Sequence, residues 1–367
     1  MTNNVKALYI HIPFCERLCD YCDFTKLQYF RSFAEPYIKT LKKEIESYQI
    51  SQELDTIYIG GGTPTCLEDD LFEELLSFLF AYTKGVKEYT VECNPESLSQ
   101  NKLAIMKRYG VNRLSIGVES TNDIILKSIN RNHTYEDVQK AILNARKMGF
   151  DNINVDLILG LPNVTKSLLK KDIVNILSLN VEHISCYSVT VHENTVFAIN
   201  GISEPDGDFA RDLYDLVNKE LENNGYIHYE VSNWSKPGKF SCHNMTYWKD
   251  EQYYGVGLGA SGYVNKCRYT NTKSINAYLE GKFIQTSEEI SLSEDEEYYI
   301  MLNMRTINGI SYKDYYEKFN KDFLHARGRA IDYLVTEKLI TKDEIGIKPT
   351  YEGMMVLDSV FLKLLPS

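Results

Sequence analysis

Ala7-Leu-Tyr9-Ile-His11-Ile-Pro13-Phe14-Cys15-Glu-Arg-Leu-Cys19-Asp-Tyr21-Cys22 runs from an apolar β-type stretch directly into a loop that carries three cysteines. Thiolates this close together at the end of a strand can hold three irons of one cubane cluster, leaving the fourth iron open to an exchangeable ligand. A structural zinc site would need four protein ligands. Position 24 is Phe, and His11 is the nearby residue that could complete such a site. The segment alone therefore leaves zinc open. Three unconnected core cysteines fit less well, because cores do not favour this clustering in a loop.

Outward from that loop, short β-type runs at 7–12, 56–60, 88–93, 113–118, 152–158 and 183–189 alternate with helical patterns at 33–48, 69–82, 100–108, 135–148 and 166–177. Ser97 with Gln100 reads as a capping box, and Thr134 reads as an N-cap followed by acidic Glu136 and Asp137. Six strand–helix alternations with short connections predict an α/β fold with a parallel sheet. A partial (β/α)6 barrel fits better than an open doubly wound sheet, and in both function gathers at the C-terminal ends of the strands.

The rhythm changes after about residue 200. A helix at 209–223 leads into a Tyr-, Asn- and Gly-rich stretch at 226–263. Helices at 294–305, 311–319 and 326–337, a hairpin around 343–346 and a last helix at 351–364 form a small winged-helix-like unit. The expected division is a barrel core at 1–205, a barrel extension at 206–290 and a C-terminal helical domain at 291–367.

The formal charge of −11 repels phosphate backbones and anionic lipid, so nucleic acid and membrane surfaces are poor partners. No stretch of 18 apolar residues occurs, and residues 1–6 carry no secretory leader pattern. The expectation is a cytoplasmic protein whose eight cysteines are free thiols or metal ligands.

Three carboxylates read as closing successive strands: Glu92 the third, Glu119 the fourth and Asp156 the fifth. Buried carboxylates cost desolvation energy, so three at corresponding strand ends point to a binding site rather than to solvated loops. The Gly60-Gly61-Gly62-Thr63-Pro64 turn offers bare backbone to a ligand's polar ends.

Cys-x3-Cys-x2-Cys after Tyr-Ile-His-Ile-Pro-Phe resembles the radical S-adenosylmethionine (SAM) superfamily. The likeness is to the branch that contains oxygen-independent coproporphyrinogen III oxidase and the haem chaperone HemW. The resemblance implies a [4Fe–4S] cluster on Cys15, Cys19 and Cys22, with SAM chelated to the open iron and split by one electron to a 5′-deoxyadenosyl radical. It further implies a SAM pocket of Tyr9, Tyr21, Gly61, Gly62, Thr63, Glu92, Glu119, Arg131 and Asp156. Glu119 and Asp156 would lie near the ribose hydroxyls, and Arg131 would pair with the SAM carboxylate. Glu119 departs from the family's usual Gln and loses an amide donor.

Within that branch the resemblance covers nearly the whole chain. Three features resemble the chaperone more than the oxidase. Fourteen residues precede Cys15, against a longer N-terminal extension in the oxidase; Phe24 stands where the oxidase has a fourth cysteine; and His243-Asn-Met-Thr-Tyr247-Trp248 resembles the chaperone's motif. Imidazole is a common haem ligand and Tyr and Trp stack on flat macrocycles, so His243, Tyr247 and Trp248 are the candidate haem residues. The implied function is to bind haem and deliver it to acceptor proteins, respiratory ones among the candidates, with an electron donor required if SAM is cleaved. The alternatives are an oxidase that converts propionates to vinyls, another radical SAM activity on a tetrapyrrole and, from a different class, a zinc-stabilised interaction module.

Overall fold

Buried β-branched and aliphatic runs separated by amphipathic helices produce seven parallel strands. The computed structural model describes residues 5–51 and 53–365. The leader reading at residues 1–6 thus lies largely outside the described residues. The strands are β1 (Ala7–Ile12), β2 (Thr56–Gly61), β3 (Glu88–Cys93), β4 (Arg113–Glu119), β5 (Ile153–Leu159), β6 (His183–Ser188), β7 (Ile227–Glu230), β8 (Asn233–Ser235) and β9 (Tyr254–Val256). They join in one sheet in the order β9-β1-β2-β3-β4-β5-β6-β8-β7. From β9 to β6 every pairing is parallel, β8 pairs antiparallel with both β6 and β7, and β7 forms the far edge. The sheet is thus a partial barrel with two edges. Strands from residues 227–256 complete the same sheet as the first six.

Helices α1 (Arg31–Ser47), α2 (Asp69–Leu79), α3 (Gln100–Arg108), α4 (Tyr135–Lys147) and α5 (Lys166–Ser178) cross between the parallel strands, and α6 (Gly207–Asn223) follows them. Their apolar faces meet the outer face of the sheet in one continuous core. Thr134 caps α4 in a full capping box with Asp137. The box expected at Ser97 is absent. Pro95–Ser97 forms a 3-10 turn, the Ser97 hydroxyl bonds Thr65, and Ser99 caps α3 by accepting from the Lys102 amide.

At the β9 edge, the buried Glu44 of α1 accepts from the Gly257 amide at 2.9 Å and from Asn271 at 2.6 Å, and Tyr278 donates to the same carboxylate. A second core, around Ile300, Tyr315, Phe323 and Leu334, belongs to the C-terminal helices. There, a three-stranded sheet of Ile310–Ser311, Gly346–Pro349 and Ile340–Lys342 packs among helices Leu292–Asn303, Tyr312–Phe319 and Phe323–Thr336. The expected last helix is two, Tyr351–Met355 and Leu357–Leu364, interrupted at Val356. Lys318 of this unit reaches the buried Asp250 at 2.6 Å, and Arg211 of α6 reaches Glu352 at 2.8 Å. No helix among the described residues is long and apolar enough to cross a membrane.

Candidate cluster and cofactor site

The cysteine loop is closed by backbone. Phe14–Cys15 pairs in parallel with Leu27–Gln28, and the Cys22 amide donates to the Cys19 carbonyl at 3.4 Å. The glycine turn after β2 is stitched to the same loop, with the Gly62 amide on the Ile12 carbonyl at 2.8 Å and the Thr63 amide on the Phe14 carbonyl at 2.8 Å. A Cβ at Gly62 would sit 2.6 Å from the Phe14 carbonyl oxygen. Gly62→Ala is therefore expected to cost about 2 kcal/mol by forcing backbone apart. A thermal melt with an unchanged midpoint would contradict this.

Cys15, Cys19 and Cys22 line one cavity of about 410 Å³ at the C-terminal mouth of the barrel. Thr63 Oγ1 donates to Cys15 Sγ at 3.7 Å, and Arg131 Nη1 donates to Cys19 Sγ at 3.7 Å. Donors aimed at sulfur suit thiolates and an anionic cluster. Burial pushes the free thiol of Cys15 up to about 11 and raises that of Cys22, so bound iron must take the place of the proton. Among the described residues no three His, Cys, Asp or Glu side chains gather closely enough for one metal ion. A cubane takes its three thiolates on separate irons, so it does not require them to converge on one point. His11 is moreover committed, with Nδ1 to the Tyr9 hydroxyl at 3.0 Å and Nε2 to the Thr25 carbonyl at 2.7 Å.

Below the cysteines the wall is polar. Glu92 accepts from the Gly61 amide at 2.9 Å and from the Tyr58 hydroxyl at 2.8 Å, and burial raises its pKa. A bulge between Gly117 and Glu119 breaks the β4–β5 register and leaves Glu119 at φ 64°. This turns its carboxylate inward, 3.5 Å from Arg131 Nη2. Asp156 does not end β5. It lies mid-strand opposite Gly117 and Ser185, because β5 continues to Leu159. It accepts from Asn154 at 2.7 Å, and burial, reinforced by Glu119 and Glu92, pushes it up to about 7.

Tyr21, Gly61, Gly62 and Thr63 share this wall. Tyr9 is set behind it, with its hydroxyl on His11 and its ring 6.1 Å from Tyr58. Tyr58, Arg113, Ser115, Asn154, Ser185 and Asn244 also line the cavity. The signal for three of them was a polar residue at every second position of otherwise apolar strands: Arg113-x-Ser115 and Asn154-x-Asp156.

The floor is helix α7 (Cys242–Trp248). The Glu88 carboxylate at the start of β3 accepts from the Cys242 amide at 3.0 Å and the His243 amide at 2.9 Å. The expected role of His243 as haem ligand does not suit this setting. Its Nδ1 meets Thr56 Oγ1 at 2.8 Å, its Nε2 meets the Tyr247 hydroxyl at 2.8 Å, and its ring stacks on Tyr58 at 5.1 Å. Both nitrogens are occupied inside the barrel, and Tyr247 is tied up with them. Trp248 instead fronts a separate cleft of about 450 Å³ shared with Met245, Lys249 and Tyr299.

The barrel, the three-cysteine loop and the glycine turn define a radical SAM protein, and the Radical SAM superfamily pattern matches residues 9–174. Superfamily membership implies a [4Fe–4S] cluster and SAM. The heme chaperone HemW of Lactococcus lactis subsp. lactis (strain IL1403) is 36% identical over 374 residues, covering 100% of this chain and 98% of the relative. HemW of Bacillus subtilis (strain 168) is 35% identical, covering 97% and 98%. Within the superfamily the chain therefore belongs to the HemW family. The solved coproporphyrinogen III oxidase (HemN) from Escherichia coli shares the fold at a TM-score of 0.84 and 21% identity, covering 98% of this chain and 89% of that one.

Proposed function

We propose that this protein is a haem chaperone that carries a [4Fe–4S] cluster on Cys15, Cys19 and Cys22, binds SAM beneath it, takes up haem and hands it to acceptor proteins. The observation that carries this reading is the end-to-end similarity to HemW chaperones. When bound, the cluster supplies single-electron chemistry to SAM at its open iron. The chain's own residues then bind and orient SAM. Arg131 offers its guanidinium charge to the carboxylate, the Gly61–Thr63 turn offers backbone to the amino group, and Glu119 and Asp156 accept from the ribose hydroxyls. Glu92, Glu119 and Asp156 offer carboxylate oxygens to the polar ends of SAM, with Arg113 and Arg131 on the same wall.

For haem, the proposed contact is Trp248, whose ring lines the second cleft and offers a flat face to a macrocycle. Its cleft adds the thioether of Met245, and Arg305 lies 5.9 Å from its ring. Lys249 and Arg305 supply cations for propionates.

The test is paired. Anaerobically reconstituted protein with SAM, a strong reductant and coproporphyrinogen III is expected to yield no vinyl product. The same preparation is expected to bind haem at about one equivalent and release it to an apo-haemoprotein. Decarboxylated product over many turnovers would make the protein an oxidase, and absence of haem binding would remove the chaperone reading.

A further inference from the structure

A single file of hydrogen bonds runs through the barrel from the cap of α7 to Asp156. The Ser241 amide, at the N-cap of α7, donates to the Tyr229 hydroxyl at 3.3 Å. That hydroxyl lies 2.8 Å from His183 Nε2. His183 Nδ1 lies 2.6 Å from Asn154 Oδ1. Asn154 Nδ2 donates to Asp156 Oδ1 at 2.7 Å and to Ser115 Oγ at 2.8 Å.

Chemistry fixes the direction of every link. Asn154 Oδ1 is a carbonyl oxygen and also accepts from Ser185 Oγ at 3.1 Å, so His183 must donate through Nδ1. Nε2 is then the bare nitrogen, and Tyr229 donates to it. His183 is fully buried, and burial together with Arg113 holds it neutral, as a single tautomer requires. The Asp156 carboxylate accepts and so takes the Asn154 NH2, which is the amide orientation that turns the oxygen to His183 and Ser185.

We propose that His183 is a positioning residue for Asp156: by fixing the Asn154 amide it aims that carboxylate at SAM and ties its placement to helix α7. The inference rests on the reading of Asp156 as a ribose-binding carboxylate. Asp156 Oδ1 accepts from Asn154 at 2.7 Å, while Oδ2 has only the long contact from Ser115 at 3.4 Å, so the Asn154 bond is the one that sets the carboxylate's direction. The relay fixes that donor before the ligand arrives, so the cost of ordering is not charged to binding. It also connects two places that the sequence keeps apart, the His-Asn-x-x-Tyr-Trp helix and the SAM cavity. Displacing α7 removes the Ser241 donor from the Tyr229 hydroxyl and so loosens the far end of the relay.

The test is a double-mutant cycle on SAM affinity, read by calorimetry on cluster-loaded protein whose iron content is checked in each variant. His183→Phe is expected to weaken SAM by about tenfold in the native background and by less than about twofold beside Asp156→Ala, because a residue acting through another loses its effect when that other is gone. Equal losses in both backgrounds would mean that His183 merely supports the barrel, and would overturn the proposal. Asp156→Ala binding SAM as the native protein does would instead remove the ribose reading on which it rests. Tyr229→Phe repeats the cycle with the ring shape kept, in case His183→Phe does not fold. It is expected to weaken SAM by about threefold, and again not beside Asp156→Ala. His183→Gln, which keeps a donor and an acceptor, is expected to recover most of the lost affinity. Failure to recover any would count against a hydrogen-bonding role.

Discussion

Cys19→Ala is expected to abolish the brown cluster absorbance and lower bound iron at least about tenfold after anaerobic reconstitution, while the barrel stays folded. The loop offers three thiols, and a cubane held through three irons has no spare protein ligand. Removing Cys19 leaves two attachment points and an unpaired Arg131 Nη1, now 3.7 Å from the sulfur. Other thiols are poor substitutes. Cys66 Sγ is turned to the Phe14 carbonyl at 3.2 Å and Cys93 Sγ to the Val91 carbonyl at 3.4 Å, and burial raises both pKa values beyond the range of an ordinary thiol.

Folding should survive, because the loop is closed by the Phe14–Cys15 and Leu27–Gln28 pairing and by amides of the glycine turn rather than by metal. Cys93→Ala is the matched control: it also faces the cavity and is expected to keep its iron. Native iron and sulfide content in Cys19→Ala would refute the ligand set. Loss of iron in both variants would mean that the cavity, not the loop, decides cluster retention.

What the sequence made legible followed from local rules. Parallel strands buried on both faces read as short apolar runs, and β1 begins and ends where its run does. Thr134 announced its helix because both partners of its capping box lie within four residues. Ser97 misled because Pro95 bends the chain first, and Ser99, two residues on, does the capping. Asp156 lined the cavity as expected but lies mid-strand, since β5 runs three residues further, to Leu159, through the apolar Leu157-Ile158-Leu159.

Least legible was the setting of α7. A His-aromatic stretch reads as a surface feature until Thr56, Tyr58 and Glu88, more than 150 residues earlier in the chain, close around it. No local pattern carries that information.

That setting makes the His243→Ala variant informative. It is expected to destabilise the protein by about 3 kcal/mol, combining a buried cavity with the unpaired Thr56 and Tyr247 hydroxyls. In a chain of this length that is a fall of roughly 4 °C in the thermal midpoint. The Soret band of the haem complex, measured per folded protein, is expected to stay as in the native protein, whereas Trp248→Ala should weaken haem binding with little loss of stability.

Acid gives a second reading of the same residue. Burial, aided by Arg113, lowers the His243 pKa to about 3, while in the unfolded chain it titrates near 6.5. The unfolded state therefore takes up a proton that the native state refuses, and stability present above about pH 6.5 is lost as pH falls toward 3. The variant lacks this group, so its deficit against the native protein should narrow by about 1.4 kcal/mol per pH unit below 6.5. His11 and His228, whose pKa values burial also lowers to about 4, are common to both proteins and cancel in the difference. A deficit that holds constant from pH 7 to 5, together with a shifted Soret band, would mean that the imidazole leaves its pocket to ligate haem.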